Sequence, residues 1–319
     1  MLIIMVIRLF TIVKHSIQYN KFYDITSSYN TRQTRGLNLY HYTGKMKQIR
    51  AALIQMKVGT ELVKNLENAS KHIAKAKESG AGLVSLPECF NSPYGTNFFK
   101  QYAEGIPKGS TCDMLSKAAK ENSIYLIGGT FPEIENGKYY NTCTVWNPEG
   151  NLIAKYRKMH LFDIDIPGKV TFKESDILSP GNEFTTFNID DIKVGLGICY
   201  DLRFEELAKI YRLEGCKLLV YPAAFTTTTG PLHFELLQKA RAVDNQLFVC
   251  GISPSRNEKG FRAYGYSQVT NPWGKVLVQA KEDEDIVYAD IDFSECDEVR
   301  ANIPIFNQRR TDIYDVKKI

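Results

Sequence analysis

Residues 193–213 read KVGLGICYDLRFEELAKIYRL. The first six form a short apolar run with two glycines, which predicts a buried strand over 193–198. The amphipathic remainder predicts a helix over 203–215. A strand feeding a helix is half of a β-α-β unit and points to parallel strands. The pattern continues downstream with a strand over 217–221, a helix over 231–245 and a strand over 247–252. Upstream it appears again. A strand over 49–56 precedes a helix with Val63, Leu66, Ala69, Ile73 and Ala76 on one face. Gly80 and Gly82 bracket the end of that helix. A strand over 81–86 follows and stops at Pro87. A helix over 111–122 and a strand over 124–131 complete the series.

After each series the pattern changes to hairpins. Segments 139–147 and 152–157 flank a Pro148-Glu149-Gly150 turn, and segments 264–270, 276–279 and 286–290 form a meander around Asn271-Pro272-Trp273-Gly274. Two such halves predict an α/β fold of two mixed β-sheets packed face to face with helices outside. No low-complexity linker separates the halves, so the body reads as one domain over 46–319.

Composition agrees with a large core. The chain has 319 residues, of which 44% are hydrophobic and 24% charged, and this excludes a mostly disordered protein. The net charge of +4 is unevenly spread. Residues 1–45 hold Arg8, Lys14, Lys21, Arg32, Arg35 and Lys45 against Asp24, a balance of +5 that leaves the body at −1. A nearly neutral body gives no reason to expect nucleic-acid binding. The opening run MLIIMVIRLFTIV is too short for a membrane span and is interrupted by Arg8. The segment 1–45 reads either as a transit peptide to mitochondria or as an extension ahead of a domain whose first strand opens near Met46. Seven scattered cysteines without CxxC spacing indicate neither a disulfide framework nor a zinc site. They suit a reducing compartment such as the cytoplasm. No ligand spacing or Gly-rich phosphate loop calls for a metal, nucleotide or other cofactor.

Cys199 lies at the strand-to-helix junction, near the positive end of a helix dipole, which favours thiolate. A buried structural cysteine is the plain alternative, so partners must decide. The body offers His72, His160 and His233, of which only His160 suits a base. Glu88, directly after the strand ending at Leu86-Pro87, is a carboxylate alternative at a strand's carboxyl end. Lys158 follows a half-exposed strand and would alone be an ordinary surface lysine.

Together these positions have a pattern. The blocks LPECF, KYRKMHLFD and GICYDLRFEE resemble the nitrilase superfamily of carbon–nitrogen hydrolases, whose Glu–Lys–Cys triad occurs in this chain order. The matching residues are Glu88, Lys158 and Cys199. The resemblance covers roughly residues 46–315. It implies a four-layer αββα sandwich of two mixed β-sheets flanked by helices, usually a homodimer through its helical face. The stretches NSPY, HLFDIDIPG, TTTTGPLHFELLQKARAVDNQ and IPIFNQRRTDIY look most like the omega-amidase branch. That branch hydrolyses the terminal amide of 2-oxoglutaramate and 2-oxosuccinamate, so the implied partner is a small dicarboxylate monoamide. No nucleic acid or membrane partner is expected.

The resemblance also implies roles. Glu174 matches a second glutamate of the family site. Lys158 and the backbone N–H of Tyr200 would hold the oxyanion. Arg203, Thr229 and Tyr94 would bind substrate, Arg203 by a planar fork suited to a carboxylate. The uniform run Thr226–Thr229 departs from the expected pattern. Structural roles compete for each residue: Arg203 pairing with Glu205 or Glu206, Thr229 as a helix N-cap, Glu174 as a solvated acid. Rival functions are an N-carbamoyl amide or nitrile hydrolase on the same triad, and a non-catalytic interaction protein on the same fold.

Overall fold

The computed structural model describes residues 48–168, 170–257 and 260–319. The expected extension 1–45, with its transit-peptide reading, lies outside them. The first half runs β1 (Gln48–Gln55), α1 (Leu62–Glu78), β2 (Leu83–Ser85), α2 (Thr96–Phe99), α3 (Ser110–Asn122), β3 (Tyr125–Glu135), β4 (Lys138–Trp146) and β5 (Leu152–Arg157). A small hairpin, β6 (Asp163–Ile166) and β7 (Val170–Lys173), leads to the second half. That half runs β8 (Thr186–Ile189), β9 (Ile192–Leu196), α4 (Glu205–Leu213), β10 (Leu218–Pro222), α5 (Gly230–Asn245), β11 (Phe248–Ile252), β12 (Gln268–Thr270) and β13 (Val276–Gln279). β14 (Asp285–Asp292) and α6 (Ser294–Asn302) follow.

Two six-stranded sheets result, ordered β14-β1-β2-β3-β4-β5 and β13-β12-β11-β10-β9-β8. In each, three parallel strands form the centre and antiparallel strands the margins. β14 returns from the second half to pair with β1 over eight residues, from Gln48↔Asp292 to Gln55↔Asp285. The last strand is thus tied to the first.

Alternation along β1 explains the layering. Ala51 and Leu53 point into the core shared with the second sheet, among Val194, Leu196 and Val220. Ala52 and Ile54 point the other way, onto Leu66, Ala69 and Ile73 of α1 and Leu115 of α3. A strand buried on both faces needs apolar residues at both parities, which is why these strands read as continuous apolar runs. The second sheet is covered by Leu207, Ala208 and Tyr211 of α4 and by Phe234 and Ala242 of α5. The four-layer αββα sandwich is therefore present.

Several boundaries differ from the sequence reading. Val63 is 66% exposed, because Asn65 takes the inward place in that turn. Asn65 accepts from Gly59 N and donates to the carbonyls of Gly59 and Asn91. The segment 264–270 is strand only from Gln268. Gly265 and Tyr266 have φ of 80° and 60°, which breaks extended pairing. The helix expected from 203 begins at Glu205. Cys199–Arg203 is instead a 3-10 turn, and Phe204 is extended between the two. β6–β7, β8 and α6 carry too little apolar alternation to be read from the sequence.

Candidate active site

The segment after β2 carries Glu88, and β3 fixes it. Cys89 N donates to Thr130 Oγ1 at 2.9 Å, and Thr130 N donates to the Pro87 carbonyl at 3.1 Å. A Cβ at Gly129, whose φ is 56°, would lie 2.3 Å from the Pro87 oxygen. Only glycine lets the strand approach this closely. Lys158 directly follows β5 and is held by its own backbone. Its N–H donates to Asn141 O and its carbonyl accepts from Gly181 N, both at 2.8 Å.

These segments bring Glu88, Lys158 and Glu174 together, each fully buried. Lys158 Nζ lies 3.0 Å from Glu88 Oε1 and 2.9 Å from Glu174 Oε2. Glu174 is further fixed by the Tyr94 hydroxyl and the Phe162 N–H, each donating at 2.7 Å. Tyr94, expected at the substrate, thus turns its hydroxyl to Glu174, and its ring packs against Phe99, Phe172 and Phe261. Asn141 Nδ2 donates to Glu88 Oε1 at 2.8 Å. Glu88 Oε2 accepts no hydrogen bond among the described residues. One oxygen is anchored and the other is left available.

Cys199 sits at a strained elbow with φ of 47°, a left-handed conformation unusual for a residue with a side chain. Gly197 makes the approach possible, since a Cβ there would lie 2.3 Å from the Tyr221 ring. Buried Asp201 holds the elbow. Its Oδ2 accepts from Ile198 N and the Tyr156 hydroxyl at 2.8 Å each. Its Oδ1 accepts from His160 N at 2.9 Å and faces His160 Nδ1 at 2.7 Å. The histidine, stacked 3.7 Å above Phe204, is therefore committed to Asp201. Tyr200 occupies the first turn of the 3-10 segment, where backbone N–H groups lack intrahelical partners.

The thiolate expectation is corrected here. Burial pushes the Cys199 thiol well above its ordinary 9.0, and the Glu88 charge adds to this. The helix expected from residue 203 begins at Glu205, two residues farther from the sulfur. The Lys158 charge and the Ala224 N–H, 3.4 Å from Sγ, oppose the shift without overcoming it. Burial also raises Glu88, more than Lys158 lowers it. Lys158 goes upward as well: burial alone would lower it, but the Glu174 and Glu88 carboxylates outweigh that. Burial and the neighbouring Glu88 charge thus favour the neutral thiol, beside a Lys158 ammonium held between Glu88 and Glu174.

Arg203 and Thr229 line one narrow cleft with Cys199. The guanidinium is half-buried, donates to His233 Nδ1 at 3.1 Å and lies 5.0 Å from the Phe225 ring centroid. It forms no ion pair with Glu205, which pairs with Lys209 instead. Burial lowers its pKa. Arg241 of α5 holds the backbone beneath, donating to Leu202 O and Arg203 O. Thr229 occupies the N-cap position of α5, yet its side chain caps nothing. The Thr226 hydroxyl instead accepts from the N–H groups of Thr228 and Thr229 at 3.3 Å.

Asn141, Asp201 and His233 escaped the sequence reading as site residues. Each supports a neighbour through one hydrogen bond or a few, and single polar residues in buried strands or turns leave no periodic signal. All seven cysteines are free and buried. Among the described residues, no group of three or more His, Cys, Asp or Glu converges as a metal site, and no helix is long and apolar enough to cross a membrane.

Residues 50–301 match the family model for carbon-nitrogen hydrolase. The chain belongs to this family. Carbon–nitrogen hydrolases among its relatives include Omega-amidase NIT2 of Homo sapiens, 56% identical over 85% of this chain and 99% of that protein. Omega-amidase NIT2 of Danio rerio is 52% identical over 86% of this chain and 99% of its own length. The crystal structure of Saccharomyces cerevisiae Nit3, a member of branch 10 of the nitrilase superfamily, superposes with a TM-score of 0.77. It shares 41% identity over 83% of this chain and 97% of that one.

Proposed function

We propose that this chain is an omega-amidase, hydrolysing the terminal amide of 2-oxoglutaramate and 2-oxosuccinamate through a thioester on Cys199. The near full-length similarity to proteins of that name supports the reading. The observation that carries it is Arg203. A half-buried guanidinium without an ion-pair partner among the described residues lines the same cleft as the candidate nucleophile. A carboxylate at the far end of the substrate would form a bidentate pair there and compensate the burial.

The chemistry follows from the cluster. Glu88 Oε2 takes the Cys199 proton, a transfer helped by the raised carboxyl pKa. The thiolate attacks the amide carbon, and Lys158 with the Tyr200 N–H holds the oxyanion. Glu88 passes its proton to the leaving nitrogen, the C–N bond breaks and ammonia departs. Glu88 then takes a proton from water, whose oxygen attacks the thioester. The C–S bond breaks and the proton returns to sulfur. Glu174 keeps Lys158 charged and in place.

The test is ammonia release from 2-oxoglutaramate by the wild type, Cys199→Ala and Arg203→Ala. We expect activity, none, and a kcat/KM lowered about 100-fold, since a charged hydrogen-bond pair is worth roughly 3 kcal/mol. Turnover of a carbamoyl amide or nitrile with none of 2-oxoglutaramate would overturn the substrate assignment. A homodimer is the proposed assembly. Leu232, Leu236 and Val243 of α5 stand 66%, 61% and 48% exposed, an outward apolar stripe beyond what a lone helix needs. Light scattering of the wild type and Leu236→Asp should give dimer and monomer.

A further inference from the structure

The cluster has a second approach that does not involve the sulfur. A cavity of about 490 Å³ is lined in part by Glu88 and shares no lining residue with the Cys199–Arg203 cleft. Cys199, Lys158 and Arg203 are absent from its wall, so Glu88 is the one member of the proposed triad that it touches. Three buried polar atoms without hydrogen-bond partners belong to residues lining it: Glu88 Oε2, Ser92 Oγ and Asn257 Oδ1. Buried polar atoms of this kind are satisfied by ordered water when the space is roomy and polar enough. Among the described residues its one cation is Lys57, an ammonium without the guanidinium fork that grips a carboxylate in two parallel bonds. A second opening of about 270 Å³ shares Phe162 and Thr226 with the Cys199 cleft and Gly260 and Phe261 with the cavity, and we assign it to the substrate.

We propose that this cavity supplies the water that cleaves the thioester. The inference rests on the thioester mechanism above. Water from the cavity loses its proton to Glu88 Oε2, and its oxygen bonds to the acyl carbon. The C–S bond breaks, and the proton passes from Glu88 to Sγ. Phe261, its ring centroid 4.5 Å from that of Tyr94, lines both the cavity and the second opening, as does Gly260.

Filling the cavity should slow deacylation and spare acylation. Thr60→Phe acts from the exposed rim and Ser255→Leu from the wall, with thermal unfolding confirming that each variant is folded. With an amide that the wild type turns over, rapid mixing should show a burst approaching one ammonia per active site. The steady rate after it should be about tenfold slower, and intact mass should show an acyl adduct. Both kcat and KM should fall together, leaving kcat/KM within about twofold, because kcat/KM reports steps through acylation. A lowered kcat/KM without a burst would overturn the proposal and make the cavity a substrate route. Unchanged kinetics in both folded variants would overturn it too. Wild-type inactivity toward 2-oxoglutaramate would count against the substrate assignment alone, since any amide handled by Cys199 passes through the same thioester.

Discussion

Glu88 and Glu133 are both fully buried, and adjacent residues serve them: Lys158 the first, Arg157 the second. Their environments nonetheless move them in opposite directions. Glu133 has both oxygens occupied. Oε1 accepts from Arg157 Nη2 at 2.6 Å and Lys155 Nζ at 2.9 Å, and Oε2 from Arg157 Nε at 2.7 Å and Thr142 Oγ1 at 2.6 Å. Burial works against its charge, but these donors prevail and hold it below the ordinary carboxyl range. Glu88 keeps one oxygen free, shares its lysine with Glu174 and is raised. A saturated carboxylate is a brace. An unsaturated one beside a thiol is available for proton transfer.

Glu133 binds its proton less tightly in the fold than in the unfolded chain. Its stabilisation is full above the ordinary 4.5 and is lost as pH falls through the lower folded value. Glu88 is the reverse: its ionised form weighs against the fold above its raised pKa, an expense tolerated for the chemistry.

The largest effect that would sharpen this contrast is Glu88→Gln. It should cut ammonia release about 10³-fold, within the range that general acid–base groups contribute. Thermal stability should hold or rise, because Lys158 and Glu174 then balance as a pair. Next is Glu133→Gln, which leaves Arg157 and Lys155 under-paired. It should cost about 3 kcal/mol in chemical denaturation, at the low end for breaking a buried pair. Turnover per folded molecule should stay within about twofold. Equal destabilisation by both substitutions would erase the distinction. In the wild type, the acid limb of kcat/KM should lie above 4.5, because protonated Glu88 cannot accept the thiol proton. A limb at or below 4.5 would assign the base elsewhere. The smallest effect belongs to Glu135→Gln at the exposed edge of the Arg157 network, where we expect no measurable change in Tm or rate.

The two regions also differ in how far the sequence discloses them. The central strands and their helices were legible because burial on both faces demands long apolar runs, as at Ala51–Ile54. The three positions Glu88, Lys158 and Cys199 were legible because each follows a strand and stands in a block that resembles the nitrilase superfamily. What holds them was not. Asn141 sits in a strand whose pattern reads as an ordinary hairpin, and Asp201 looks like one more acid at a helix start. The φ of 47° at Cys199 belongs to an elbow where Asp201 accepts from Ile198 N and Gly197 lies close against Tyr221, tertiary contacts that no local propensity encodes. The thiol's protonation state was misread for the same reason. Helix polarity can be judged along the chain, whereas desolvation by distant segments outweighs it and cannot. His160, the best histidine by sequence, is taken by Asp201 forty-one positions away.

That last contact sets up the most direct test of Glu88 as the base: ammonia release from 2-oxoglutaramate by folded Glu88→Gln and His160→Ala proteins side by side. The account predicts that Glu88→Gln loses about 10³-fold in rate while His160→Ala remains within about tenfold of the wild type. An active Glu88→Gln with an inactive His160→Ala would contradict it.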